Sequence, residues 1–215
     1  VAQSGGPTAA INASLTGVFN GAEQNSEVDE IFGAENGIEG ILGDRLLNLR
    51  SILMDDHDKQ LLMTTPSTIL GSCRFKLKDW HEDETDYLRI TEVFNRHNIR
   101  AFFYIGGNDS MDTVMKLHSY FTAKDIRIRV IGVPKTIDND VTETDHTPGF
   151  GSAAKYVAAT LQEIIRDSRV YSIPSVTIVE IMGRDAGWLA ASSCVLRANG
   201  EPAPHMIYLP EGEFS

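Results

Sequence analysis

The sequence predicts an α/β fold of βαβ units with mainly parallel sheets, and three observations carry that expectation. Apolar runs of strand length alternate with stretches of helical period. Runs such as Ala101 to Ile105 are continuously apolar, as suits strands buried on both faces. The runs also end in segments dense in Gly, Asp, Asn, Ser or Arg. In sheets of this kind ligands bind outside the carboxyl ends of the strands, so those segments are where function is sought.

The elements follow in chain order. Val1-Ala2-Gln3 reads as the end of a buried strand entering Ser4-Gly5-Gly6-Pro7, after which Ile11, Leu15, Val18 and Phe19 mark a helix. Ala34 to Lys78 has weaker periodicity and is assigned to loops and short helices. Ala101 to Ile105 is a strand bounded by Gly106-Gly107, with Met111, Val114, Met115 and His118 at helical spacing behind it. Ile128 to Val133 is the next strand, stopped by Pro134. A helix carrying Val157, Leu161, Ile164 and Ile165 follows Gly149-Phe150-Gly151. Val176 to Ile181 is expected as a strand, Trp188 to Leu196 as a helix, and Met206 to Leu209 as a final strand. A boundary near Thr147-Pro148-Gly149 divides the chain into residues 1–149 and 150–215, each expected as a Rossmann-like three-layer domain, the second incomplete. With Val rather than Met at position 1 and strand-like runs at both ends, the chain reads as a fragment.

Composition narrows the function. Among 215 residues, 19 Lys and Arg face 30 Asp and Glu, giving 19 − 30 = −11. Such a surface repels nucleic acid and anionic lipid, so neither is expected as a partner. No apolar run approaches the length of a membrane span, and no signal segment opens the chain. Cys73 and Cys194 lie far apart without metal spacing, which suits reduced thiols and a cytoplasmic location.

Four strand-end segments carry the chemistry. Gly5 and Gly6 let backbone N–H groups approach an anion at a helix start, or form a capped tight turn. Gly106-Gly107-Asn108-Asp109-Ser110 offers phosphate-cradling backbone with a carboxylate for Mg²⁺, or ordinary helix caps. Pro134-Lys135-Thr136-Ile137-Asp138-Asn139-Asp140 has the parts for phosphoryl transfer: a cation for phosphate, a hydroxyl donor and a carboxylate base. Its alternative is a polar Asx turn. Met182-Gly183-Arg184-Asp185 places an Arg suited to a phosphate ester, or one paired with Glu180 or Asp185. Glu211 would accept sugar hydroxyls or face water.

Together with Leu70-Gly71-Ser72-Cys73-Arg74-Phe75, Thr147 to Phe150 and Pro210 to Ser215, these segments resemble the phosphofructokinase family, specifically its pyrophosphate-dependent branch. Seven motifs in order span essentially the whole chain. The resemblance implies reversible phosphoryl transfer from pyrophosphate to the 1-hydroxyl of fructose 6-phosphate, with Mg²⁺ and a homodimeric or homotetrameric assembly. By the same resemblance Asp138 is the base, and Lys135 and Arg184 act on the phosphates. Gly5, Gly6, Arg74, Gly107, Asn108, Asp109 and Ser110 would hold the donor, with Asp109 at the metal. Thr136, Asp138, Asp140, Met182, Gly183, Arg184 and Glu211 would meet the sugar phosphate.

Family members that use ATP typically carry Gly at the positions of Lys135 and Asp109. A lysine there matches a small, highly charged donor, while Asp109 sets negative charge where a nucleotide's phosphates would pass. At 4 Å that repulsion is about 4 kcal/mol for an effective dielectric of 20. Pro7 and Thr113 agree with the pyrophosphate reading. Two positions depart from the family: Asn108 stands where Asp is usual, removing one carboxylate, and Ser175 stands where many bacterial ATP users place an Arg that crosses a subunit interface to the sugar phosphate. Three alternatives accompany this reading: an ATP-dependent phosphofructokinase, a non-catalytic regulatory subunit of the same fold, and a kinase for another acceptor.

Overall fold

The computed structural model describes residues 1–212, in two compact units, Val1–Lys135 and Thr136–Ser215. Pro210 to Gly212 are described, whereas Glu213, Phe214 and Ser215 of the last motif lie outside the described residues.

The first unit is a five-stranded sheet with helices on both faces. Its strands are β1 (Ala2–Gln3), β2 (Phe32–Ala34), β3 (Leu46–Asn48), β4 (Ala101–Gly106) and β5 (Arg129–Pro134). They lie in the order β3-β2-β1-β4-β5, parallel throughout except for the antiparallel β2–β3 pair. The helices are α1 (Ile11–Glu23), α2 (Gly37–Leu42), α3 (Asp56–Thr64), α4 (Thr85–Arg96) and α5 (Asn108–Ala123). Alternation along β4 assigns the two faces: Phe102 and Tyr104 join the core containing Ile38, Tyr87, Ile90, Phe94, Leu117 and Phe121. Ile105 instead packs with Ile11, Leu15, Phe19, Leu62 and Leu70. α2, α4 and α5 therefore cover one face, and α1 and α3 the other.

Several expectations need correction here. α5 forms as the spacing predicts, but it buries Thr113, Leu117, Tyr120 and Phe121, whereas Met115 is 70% exposed and His118 is also exposed. The apolar contacts set the helix face, and the long, flexible Met115 side chain stays outside them. β3 lies inside the Ala34 to Lys78 stretch assigned to loops and short helices, while β2, which ends at Ala34, and α4 lie where no element is assigned. Each of these strands is three residues long, too short for a period to register.

The second unit consists of α6 (Phe150–Ser168), α7 (Trp188–Ala191), a 3₁₀ turn (Ser192–Cys194) and α8 (Val195–Ala198). Leu161 and Ile165 of α6 bury against Leu196. Among its described residues the unit forms no strand, only an isolated bridge between Thr136 and Gly149. The expected strand Val176 to Ile181 is irregular, with Val176 and Ile178 each 90% exposed, and Met206 to Leu209 is irregular too. A strand persists only when a neighbour takes up its backbone N–H and C=O groups, and no strand runs beside either segment among the described residues. Among the described residues the second unit therefore forms no sheet of its own.

The division also falls after Lys135 rather than after Gly149. The Thr136 N–H donates to the Pro148 carbonyl at 3.2 Å, and Thr147 N donates to Asn139 Oδ1 at 2.8 Å. Those bonds close the 136–149 loop on itself, and Phe150 N donating to Thr147 O at 3.0 Å joins its end to the start of α6. Among the described residues no helix is long and apolar enough to cross a membrane.

Candidate active site

Strand order locates the first set of site residues. The chain leaves β1 toward β2 on one side, while β4 pairs on the other, so a topological switch point lies between β1 and β4. Register aligns the ends: Gln3 stands opposite Ile105 and Gly106 opposite Pro134. Beyond the strands, Ser4 N donates to Ile105 O at 2.9 Å and Lys135 N to Gly106 O at 3.0 Å. Three expected loops thus leave the sheet side by side.

Lys135 ties these loops together. It is 3% exposed, and its Nζ donates to the Gly6 carbonyl at 2.5 Å, reaching past the end of β4 to the loop after β1. Gly5 holds φ +78, and a Cβ there would lie 3.2 Å from Lys135 Nζ and 3.6 Å from Gly107 N. Only glycine suits that left-handed, crowded position. Gly6 has open space beside it. The helix does not begin at these glycines, because Thr8 to Ala10 form an intervening turn before Ile11.

α5 begins directly at the end of β4, with Gly107 as its N-cap and Asp109 as the acid of its first turn. Ser110 is buried, and its hydroxyl fills the place a Gly106 Cβ would take, 2.0 Å away. Thr113 is buried, with its hydroxyl donating to Asp109 O at 3.1 Å. Asn108 and Asp109 are exposed. Asp109 Oδ1 lies 3.1 Å from Lys76 Nζ, a cation that sequence reasoning missed. No motif links residues so far apart; only the fold brings them together.

Arg74 is exposed on the segment after Leu70, and that segment is held against the glycine loop. Ser72 Oγ donates to Gly5 O at 2.6 Å and Ser4 Oγ to Cys73 O at 3.2 Å. Behind them Tyr104 is 1% exposed, and burial pushes its phenol far above the usual range, so it stays neutral.

The second unit carries its own set. Asp138 is half-buried and its N–H donates to Thr136 Oγ1 at 3.1 Å. Asn139 sits at φ +60 and is 6% exposed; its amide donates to Asp145 O at 3.1 Å and accepts from Thr147 N. This is the Asx-type turn that composition allowed, and it shapes the loop on which Thr136, Asp138 and Asp140 stand. Arg184 occupies the left-handed region at φ +56, in a turn closed by Ala186 N donating to Gly183 O at 2.9 Å. A Cβ on Gly183 would meet Ala186 O at 2.3 Å. Met182 and Arg184 are exposed, and neither Glu180 nor Asp185 forms an ion pair with Arg184 among the described residues. Glu211 is neither on a strand end nor merely solvated: Gly187 N donates to its Oε1 at 2.7 Å, so it caps the start of α7.

Among the described residues no group of three or more His, Cys, Asp or Glu could hold a metal. One carboxylate, Asp109, beside an amide and glycine backbone suits Mg²⁺ held mainly by the phosphate oxygens of a donor, not by a protein cage.

The whole chain, residues 1–215, matches the family model described as Phosphofructokinase. It is 41% identical to pyrophosphate–fructose 6-phosphate 1-phosphotransferase of Halomonas elongata and 42% identical to that of Xanthomonas campestris pv. campestris. Each alignment covers 99% of this chain, and 51% and 50% of those proteins respectively. The crystal structure of the pyrophosphate-dependent phosphofructokinase from Marinobacter aquaeolei superposes with a TM-score of 0.85 at 41% identity, over 99% of this chain and 53% of that one. The chain thus spans about half the length of the curated relatives it matches. At 31% identity it also resembles an ATP-dependent 6-phosphofructokinase 2 of Streptomyces coelicolor, over 100% of this chain and 56% of that protein.

Proposed function

The chain belongs to the phosphofructokinase family, and from that premise we propose that its protein transfers a phosphoryl group from pyrophosphate to the 1-hydroxyl of fructose 6-phosphate. The products are fructose 1,6-bisphosphate and phosphate, and the reaction runs in both directions. One observation carries the donor assignment: the buried Lys135 ammonium, fixed on Gly6 O beside Gly5 and Gly107. It places a lysine amine among backbone groups that suit phosphate. The names of the relatives at 41–42% identity support the same donor.

In this reading Asp138 takes the proton from the sugar hydroxyl as that oxygen attacks the nearer phosphorus of pyrophosphate. The bond from that phosphorus to the bridging oxygen breaks, and phosphate leaves. Lys135 offsets charge on the donor, and catalysis is mainly positioning and electrostatics. Arg74, Gly5, Gly6, Gly107, Asn108 and Ser110 flank the donor. Thr136, Asp140, Met182, Gly183 and Arg184 serve the acceptor. Asp109 with Asn108 would hold Mg²⁺, which when bound offsets charge on phosphate oxygens. Glu211, whose Oε1 caps Gly187, serves the acceptor as well. The protein works in the cytoplasm as a homodimer or homotetramer, as the family resemblance suggests.

Phosphorus NMR on the full-length protein tests the proposal. Pyrophosphate should be consumed only when fructose 6-phosphate is present, and should reappear from fructose 1,6-bisphosphate and phosphate. Consumption independent of the sugar would contradict it.

A further inference from the structure

Beneath the glycine loop lies a pair of buried amides to which no role has yet been given. Gln3 is 0% exposed and Asn12 is 2% exposed. A primary amide offers two donors and two acceptor lone pairs, and Gln3 uses all four. Its Nε2 donates to Ile11 O at 3.1 Å and to Asn12 Oδ1 at 3.0 Å. Its Oε1 accepts from Leu70 N at 3.0 Å and from Thr68 Oγ1 at 2.6 Å, a hydroxyl whose single proton is shared with Gly71 O at 2.8 Å. Asn12 extends the network: Oδ1 also accepts from Ile69 N at 3.1 Å, and Nδ2 donates to Thr65 O at 3.0 Å. Backbone partners of fixed polarity dictate which way each amide faces.

Four of these bonds end on residues 65–70, a stretch with no helix or strand to satisfy its own backbone. Buried amides are costly unless fully bonded, and apolar side chains would serve the core at least as well. Here the pair gives an irregular segment one defined shape. The consequence lies just downstream. Asn36 N donates to Leu70 O at 2.7 Å, Gly71 turns at φ +73, and Ser72 and Cys73 bond to the Ser4–Gly5 loop. Arg74 comes next.

We propose that Gln3 and Asn12 are positioning residues for the phosphoryl donor, setting Arg74 and the Gly5 carbonyl through the segment Thr65–Leu70. This rests on the donor-side role given above to Arg74 and Gly5. The test uses the full-length protein carrying Thr68→Val, which removes one hydroxyl from a half-buried loop residue, and Asn12→Ala. Thr68→Val should raise KM for the donor about tenfold, the factor for one lost hydrogen bond, and Asn12→Ala, which loses three, by at least as much. KM for fructose 6-phosphate should stay within about twofold, and Thr68→Ser should restore the wild-type value. If Asn12→Ala does not fold, Thr68→Val decides.

An unchanged donor KM in folded Thr68→Val overturns the inference, and so does a parallel change in both KM values, which would mark a merely structural role. Each variant is read against the donor that the wild-type protein uses. If that donor is ATP, the pyrophosphate assignment fails while the variants still decide positioning. A wild type that uses neither donor overturns both.

Discussion

Replacing Lys135 with Met keeps most of the side-chain volume and removes the ammonium. Two costs follow from its surroundings. The Gly6 carbonyl loses its 2.5 Å partner, but Gly6 is exposed and water takes its place, so the loss is one net hydrogen bond of about 0.5–1.5 kcal/mol and the melting temperature should fall by a few degrees at most. The donor loses a cation near its phosphates, which at about 4 Å and an effective dielectric of 20 is worth about 4 kcal/mol. At about 1.4 kcal/mol per factor of ten, kcat/KM for pyrophosphate should drop roughly 10³-fold. A coupled assay for fructose 1,6-bisphosphate, run on full-length protein shown by its melt to be folded, reads the effect. A loss below about fivefold would refute the reasoning that this buried charge serves the donor.

Other outcomes follow from the same geometry. Asp138→Asn should lower kcat by about 10²–10⁴ without shifting the melting temperature, because its bond to Thr136 Oγ1 is made by the backbone N–H, which the substitution keeps. Gly106→Ala would push a Cβ to 2.0 Å from Ser110 Oγ, displacing the start of α5; thermal denaturation should show a loss of about 1–3 kcal/mol. Asp44, in contact with His97 at 2.7 Å and with Arg96, has its carboxyl held below the usual carboxylate range, foremost by the His97 hydrogen bond. A lowered pKa contributes stability that is present above the ordinary carboxylate range and is lost as pH falls through the lowered value. The melting temperature of wild type should therefore exceed that of Asp44→Asn near pH 6, and the gap should close as pH falls below about 4.

How much of this was legible in the sequence depends on range. β4 announces itself as a continuous apolar run ending at Gly106 and β5 as a largely aliphatic run stopped by Pro134, and the loops that follow sit where strand-end chemistry expects them. β2 and β3 do not, since three-residue strands owe their existence to their neighbours in the sheet. α4 was readable: Tyr87, Ile90, Val93 and Phe94 recur at helical spacing and all are buried. Val176 to Ile181 shows the converse, a sequence with strand propensity and no neighbour to pair with among the described residues. In the site, the residue types at Lys135, Asp109 and Asp138 were plain. That Lys135 reaches Gly6, that Lys76 meets Asp109 and that Glu211 caps Gly187 are long-range facts carried by register and turns.

The donor itself is the most direct test. Full-length protein should be assayed for fructose 1,6-bisphosphate formation with pyrophosphate and with ATP in parallel, under the same Mg²⁺. The buried lysine and the carboxylate at the start of α5 predict kcat/KM for pyrophosphate at least about 10²-fold above that for ATP. Equal or better use of ATP would contradict the account.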